Sequence, residues 1–250
     1  MGNLLRSEWF KLWKDRSYWT LLMALSGAAV FYTGLVGFDE DGVSSAMSVS
    51  DLYTQAALGG NGYMIRLVPV ILAGFFISSE YANGTMKSMI ASGNSRLRIY
   101  SAKLIAFMAG AAILAAMFPL WLTITAALGS GFYDMPAWDY WVRTLLLHML
   151  YAAGFASIMA LAAIQFTDSG KTIGFLLLFF LLIDSILFFI SQKVDWFRPI
   201  FDYSIFHMFN KVGHSSLTAG DWIPIVASPV LSGVAMWLLG YLVFERKEIK

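Results

Sequence analysis

Six times along its 250 residues the sequence turns apolar for about the 20 residues that a helix rising about 1.5 Å per residue needs to cross a hydrocarbon layer. Backbone N–H and C=O groups find no partners in lipid, so runs of this kind must become helices that satisfy their own hydrogen bonds. The runs lie at about Ser17–Phe38, Gly62–Ser79, Leu104–Leu128, Trp141–Phe166, Thr172–Ser191 and Trp222–Phe244. Composition agrees, because 58% of the residues are hydrophobic and only 13% charged, about half the charged share of a soluble domain. The expected fold is an all-α polytopic membrane protein, one six-span domain over residues 1–250. The first run reads as a retained span rather than a signal peptide, since it has no small-x-small cleavage pattern and further spans follow. Met1-Gly2 imitates a myristoylation signal, but Arg6 stands where Ser or Thr is required. With no cysteine, disulfides, thiolate metal sites and cysteine nucleophiles are excluded.

An even number of spans puts both termini on one side, and Lys and Arg select it. Arg6, Lys11, Lys14 and Arg16 precede the first span, and Lys87, Arg96, Arg98 and Lys103 fill the second connection. Lys171 lies in the fourth connection, and Arg246, Lys247 and Lys250 end the chain. The opposite connections hold only Lys193, Arg198 and Lys211, while Arg66 and Arg143 sit just inside spans. This asymmetry predicts cytoplasmic termini.

"QFTDSGKTIGF" at 165–175 contains the closing letters of a phosphate-binding loop. Such a loop is G-x-x-x-x-G-K-[ST] between a strand and a soluble helix. Here Gln165 replaces the first glycine and membrane spans flank the turn. Lys171 therefore reads as a positive-inside anchor, with Asp168 or Ser169 capping the next helix. No ATPase is expected within this chain. Other enzyme readings fail as well. Gly93-Asn94-Ser95 lacks a nearby histidine, and neither His148, His207 nor His214 belongs to an H-E-x-x-H motif.

Several segments are neither span nor simple loop. Leu5, Trp9, Leu12 and Trp13 recur at helical spacing with Arg6, Lys11 and Lys14 elsewhere on the wheel, which predicts an amphipathic interfacial helix over 1–16 with its lysines toward anionic lipid. Membrane anchoring and partner docking both fit it. Residues 80–103 place Met86, Met89 and Ile90 on one stripe between Gly84 and Gly93, a short helix suited to pressing on another protein or lying on the membrane surface. In the acidic first external connection, Ser48-x-x-Asp51 resembles a capping box, with Gly59-Gly60 expected to end its short helix. Residues 192–221 carry two aromatic stripes, Trp196, Phe197, Ile200, Phe201 and Ile205, Met208, Phe209, Val212, which predict two short helices re-entering or lying on the outer leaflet.

Inside the spans, Asp184 stands about twelve residues from the cytoplasmic end, where a carboxylate costs roughly 2.5–3.5 kcal/mol unless it faces protein or water. His148 and Arg66 enter from the external side and can reach a similar depth, so the three form a candidate intramembrane polar site. A substrate path, a protonated acid and a lock between helices are all open readings of Asp184. Small residues Ala109–Ala112, Ala115 and Ala116, and Gly170-x-x-x-Gly174, are expected to permit close helix approach.

Together these features resemble the permease subunit of type-2 ATP-binding-cassette exporters, in particular small bacterial permeases of peptide-antibiotic self-protection. The closest likeness is in "EYANGTMKSMIASGNSRLRIYSAKL", through Glu80, Gly84, Thr85, Lys87, Ser95, Arg96 and Lys103. The resemblance implies that Glu80, Tyr81, Gly84, Thr85, Met86, Lys87, Met89, Ser95 and Arg96 form a coupling region for an ATPase subunit. Beside it would dock the N-terminal helix bearing Trp9, Lys11, Trp13 and Lys14, with Asp168 and Lys171 as a second contact. It implies two ATPase subunits, a second permease copy or paralogue, and an amphipathic or hydrophobic cargo, with ATP and Mg held by the partner and no cofactor on this chain. An ion-gradient-driven carrier and a non-transporting accessory protein are the alternatives.

Overall fold

The computed structural model describes residues 2–39, 48–214 and 217–247. Its helices are α1 (Gly2–Lys14), α2 (Arg16–Asp39), α3 (Val49–Leu52), α4 (Asn61–Leu72), α5 (Ser79–Ala82), α6 (Thr85–Ala91), α7 (Arg96–Ser130), α8 (Trp138–Gln165), α9 (Ser169–Lys193), α10 (Arg198–Asp202), α11 (Ile205–Phe209) and α12 (Ala219–Arg246). No strand occurs among the described residues. Six stretches are long and apolar enough to span a membrane, at Arg16–Val36, Gly62–Ala82, Arg96–Ser130, Trp138–Gln165, Ser169–Lys193 and Gly220–Arg246. They coincide with the predicted runs. The acidic part of the connection between the first two spans, at 40–47, lies outside the described residues.

The second span is not a plain α-helix. Wide π-helical turns occupy Tyr53–Gly60 before α4 and Ala73–Ser78 after it. Gly59-Gly60 therefore do not end a short helix, as the sequence suggests. The chain passes through them in helical conformation into α4. Ser48 does cap α3, its hydroxyl accepting from the Asp51 amide at 3.0 Å. Pro69 lies inside α4, where it supplies no amide to the ladder.

α7, α8 and α12 form the tightest contacts, with α2 on α7 and α4 between α7, α8 and α9. Tyr18, Phe107, Tyr151, Phe155 and Phe244 are fully enclosed. One proline in these helices is accommodated by a side chain. Pro229 cannot donate to Ile225 one turn earlier, and the Tyr151 hydroxyl, at 2.9 Å, donates to that carbonyl instead. Glycines set the close approaches, but not the pair expected. A Cβ at Gly174 would meet nothing within 4 Å. At Gly74 it would lie 2.6 Å from Ile173 Cγ1, and Ser169 Oγ donates to the Gly74 carbonyl at 2.8 Å. The second and fifth spans thus touch through Gly74, whose π-helical turn brings its backbone against α9.

Candidate functional site

The end of the bundle that carries both termini is organised around four charges. α1 is amphipathic, yet its inward face holds Glu8 as well as Leu12, both buried. Leu12 seats against Gly110, where a Cβ would be only 2.9 Å away. This brings Glu8 Oε2 to 2.7 Å from Lys103 Nζ near the start of α7, while Glu8 Oε1 lies 2.6 Å from Lys11 Nζ. Glu80, on α5, completes the ring, 3.0 Å from Lys11 and 2.7 Å from Lys103. The Lys103 ammonium also lies 4.8 Å from the centre of the Phe76 ring. Two carboxylates and two ammonium groups leave the cluster neutral, as such burial requires.

Burial works against ionising Glu8, but Lys103 and then Lys11 outweigh it and hold its carboxyl below the ordinary glutamate value of 4.5. Burial likewise opposes the Lys11 charge, while Glu8 and Glu80 raise its ammonium above 10.5. Lys11 is therefore turned into the protein rather than toward lipid, because two carboxylates lie within hydrogen-bond reach. Lys14 and Trp13 remain on the outer side of α1.

α6 sits between Gly84 at φ 68° and Gly93 at φ 83°, left-handed conformations that favour glycine and isolate the helix from its neighbours. Its apolar stripe packs on its own chain. Met86 is buried among Ile77, Tyr81, Ile99 and Tyr100, and Met89 Sδ accepts from Lys11 Nζ at 3.7 Å. The face turned outward carries Lys87, Ser88 and Ala91, with Thr85 half-buried beside it. Ser95 stands exposed at the start of α7 without a side-chain capping bond. Arg96 is committed elsewhere in the chain. Its Nη1 donates to the carbonyls of Phe244, Glu245 and Lys247 at 2.9, 2.8 and 2.7 Å, closing the C-terminal end of α12. Lys247 in turn covers Tyr81, its ammonium 4.4 Å from the ring centre and donating to the Gln165 carbonyl at 3.2 Å.

The short turn before α9 joins the same end. Asp168 accepts from the Lys171 amide at 2.8 Å and caps α9, while both side chains stay exposed. Beneath them, Ser78 and Thr172 share a hydrogen bond of 2.7 Å, and Ser78 donates to the Ala163 carbonyl at 3.0 Å. The π-helical turn at 73–78 thus connects this turn to Glu80 next along the chain. Glu8 and Phe76 were missed in the sequence; Glu8 had a readable signal, one turn before Leu12 on the apolar stripe.

At the opposite end, Arg66, His148 and Asp184 line one cavity of about 420 Å³ between α4, α8, α9 and α11. Arg66 pairs with Asp184, and its guanidinium lies 5.0 and 5.1 Å from the ring centres of Phe155 and Phe209. Asp184 thus ties α9 to α4, and its side chain, 41% exposed, also lines the cavity.

Six apolar spans, a detached short helix and a neutral charge cluster at the termini-bearing end define a polytopic helical membrane domain. The family model described as ABC-2 family transporter protein matches residues 4–194, and the chain belongs to that family. It is accordingly a multi-pass membrane permease of an ABC transporter, and the family implies association with ABC ATPase subunits. No curated protein gives a significant match.

Proposed function

We propose that this chain is the permease half of an ATP-driven exporter in a bacterial plasma membrane, with both termini cytoplasmic and two ATPase subunits docked on the termini-bearing end. It works with a second copy or a paralogue, and moves an amphipathic or hydrophobic cargo outward, such as a peptide antibiotic, a toxin peptide or a lipid-like compound. The observation that carries this reading is the ring of Glu8, Lys11, Glu80 and Lys103, which joins α1, the approach to α6 and the first turns of α7. A push on the outward face of α6, at Thr85, Lys87 and Ser88, reaches the ring through Met89 and Glu80. From there it reaches α7, the longest span, and the π-helical turn of the second span. Asp168 and Lys171 offer the ATPase a second, smaller contact on α9.

Two charges of each sign held without net charge make a rigid joint, which suits force transmission better than an apolar contact that slides. Rocking of the two halves would then open the pathway between them. Vesicles containing the chain and its ATPase should show vanadate-sensitive export, and Lys103→Met should uncouple it, leaving ATP hydrolysis with reduced transport. Transport that persists without ATP, or that collapses with an ion gradient, would overturn the proposal.

A further inference from the structure

The seam between α8 and α12 stays open along much of its length. Toward the end opposite the termini, Leu146, Leu150, Trp222 and Val226 line a groove of about 480 Å³. Further along, Leu150, Ala153, Val230 and Trp237 line a second of about 300 Å³, so the two meet at Leu150. Gly154 and Pro229 also line the second groove, packed so closely that a Cβ on the glycine would lie 3.2 Å from the Pro229 Cα. Leu146 and Val230 are 58% and 46% exposed, so the groove lies on the lipid-facing side of the bundle. From Arg143 to Gly154 the seam runs about 16 Å along α8, and from Trp222 to Trp237 about 22 Å along α12. One leaflet of a hydrocarbon core is about 15 Å deep, so the seam is long enough for one acyl chain.

The mouth of the seam carries one charge of each sign. Arg143 lines it, held by the rings of Tyr140 and Trp222 at 5.1 and 5.9 Å and by its Nη2, which donates to the His214 carbonyl at 2.8 Å. A carbonyl removes no charge, so the guanidinium stays a cation there. Asp139 lines the same mouth one helical turn earlier, with Cβ atoms at this spacing about 5–6 Å apart. Its carboxylate is exposed and in no ion pair among the described residues. Trp138, 75% exposed and stacked on Trp141 at 5.2 Å, stands beside it, as tryptophans do at headgroup depth. An apolar slot that ends on an adjacent cation and anion fits a molecule with an apolar chain and a zwitterionic head. A phosphate accepts from Arg143, and a primary ammonium donates to Asp139. A choline head has no N–H for the carboxylate, and a glycerol head has no cation for it.

We propose that the α8–α12 seam holds one resident phosphatidylethanolamine, with an acyl chain in the groove, the phosphate on Arg143 and the ammonium on Asp139. The lipid is a fixed ligand and not a cargo. It lies on the outside of the bundle, where it clamps α12 against α8. The inference needs only the spans and holds whichever direction, and whichever energy source, the permease uses.

The test uses the delipidated full chain in detergent, titrated with dioleoyl phosphatidylethanolamine, phosphatidylcholine and phosphatidylglycerol and read by native mass spectrometry. One phosphatidylethanolamine should be retained per chain, about tenfold tighter than either other lipid, the scale of one charge-assisted hydrogen bond. Asp139→Asn should erase that preference, and Val230→Trp, which fills the slot below the headgroup, should weaken all three lipids. Losing the Asp139 charge from the first turn of α8 lowers stability alike in every lipid, so the ranking and not the melting temperature reports the headgroup. Equal affinities, or tighter phosphatidylglycerol, would overturn the proposal. So would a Val226→Cys disulfide between two copies in native membranes, which would give the seam to a second chain. ATP-driven translocation of labelled phosphatidylethanolamine would make the lipid a cargo and overturn its resident role. The ranking on the unmodified chain decides the matter even if a variant fails to fold.

Discussion

Lys103 and Glu8 show how a charge can lie deep in a helical bundle. Their side chains are 4% and 3% exposed, so each depends on the other for compensation. Removing one partner from a buried pair typically costs about 3–5 kcal/mol, because the remaining charge is left uncompensated. Lys103→Met should fall near the lower end, about 3 kcal/mol, since Lys11 still neutralises part of the carboxylate pair. Thermal unfolding in detergent would measure it, and Glu8→Lys combined with Lys103→Glu should recover part of the loss. The same groups predict a pH profile. Glu8 is held below 4.5, so its contribution is present above that value and disappears as pH falls through the lowered one. Lys11 is raised above 10.5, so its contribution is present below that value and disappears as pH climbs through the raised one. Docking of α1 should be flat between about pH 5 and 10 and loosen on either side. A nitroxide on Phe10→Cys, unique in a chain without cysteine, would report this as line sharpening outside that window.

Elements are delimited here by glycines whose roles differ. Gly84 has open space around it, so a Cβ would meet no atom within 4 Å, but its φ of 68° penalises any other side chain. Gly84→Val should cost about 1–2 kcal/mol in backbone strain and tilt α6, lowering coupled transport more than overall stability. Gly74 has an ordinary backbone and no room. Gly74→Ala should cost about 1–3 kcal/mol by pushing α9 off the π-helical turn, whereas Gly174→Ala should leave the melting temperature unchanged or slightly raised. Melting curves of the three variants would separate strain, crowding and indifference. A drop for Gly174→Ala equal to that for Gly74→Ala would contradict the assignment of the contact.

For the molecule as a whole, sidedness governs everything else. The apolar faces of α2, α9 and α12 are left largely uncovered by the chain itself, α9 most of all. Lys87→Cys should be labelled by an impermeant thiol reagent only in inverted vesicles. Tyr203→Cys, between α10 and α11 and 66% exposed, should be labelled only in intact cells. The opposite pattern would place the α6 face outside the cell, beyond the reach of any ATPase.

The spans, α6 between Gly84 and Gly93, and the two short helices α10 and α11 were all legible in the linear chain. Each depends on neighbours within a few residues, through apolar run length, helical spacing or the φ freedom of glycine. The charge ring was not legible, because Glu8 and Lys103 are 95 positions apart and meet only once Leu12 has seated on Gly110. Depth along the spans did group Arg66, His148 and Asp184, but spacing could not show that Arg66 rather than His148 would pair with Asp184 across 118 positions, or that Arg96 would close α12. A lone charge in an apolar run announces that it needs a partner. Which partner it receives depends on how helices are rotated and stacked, and that is set by side-chain shapes across the whole bundle.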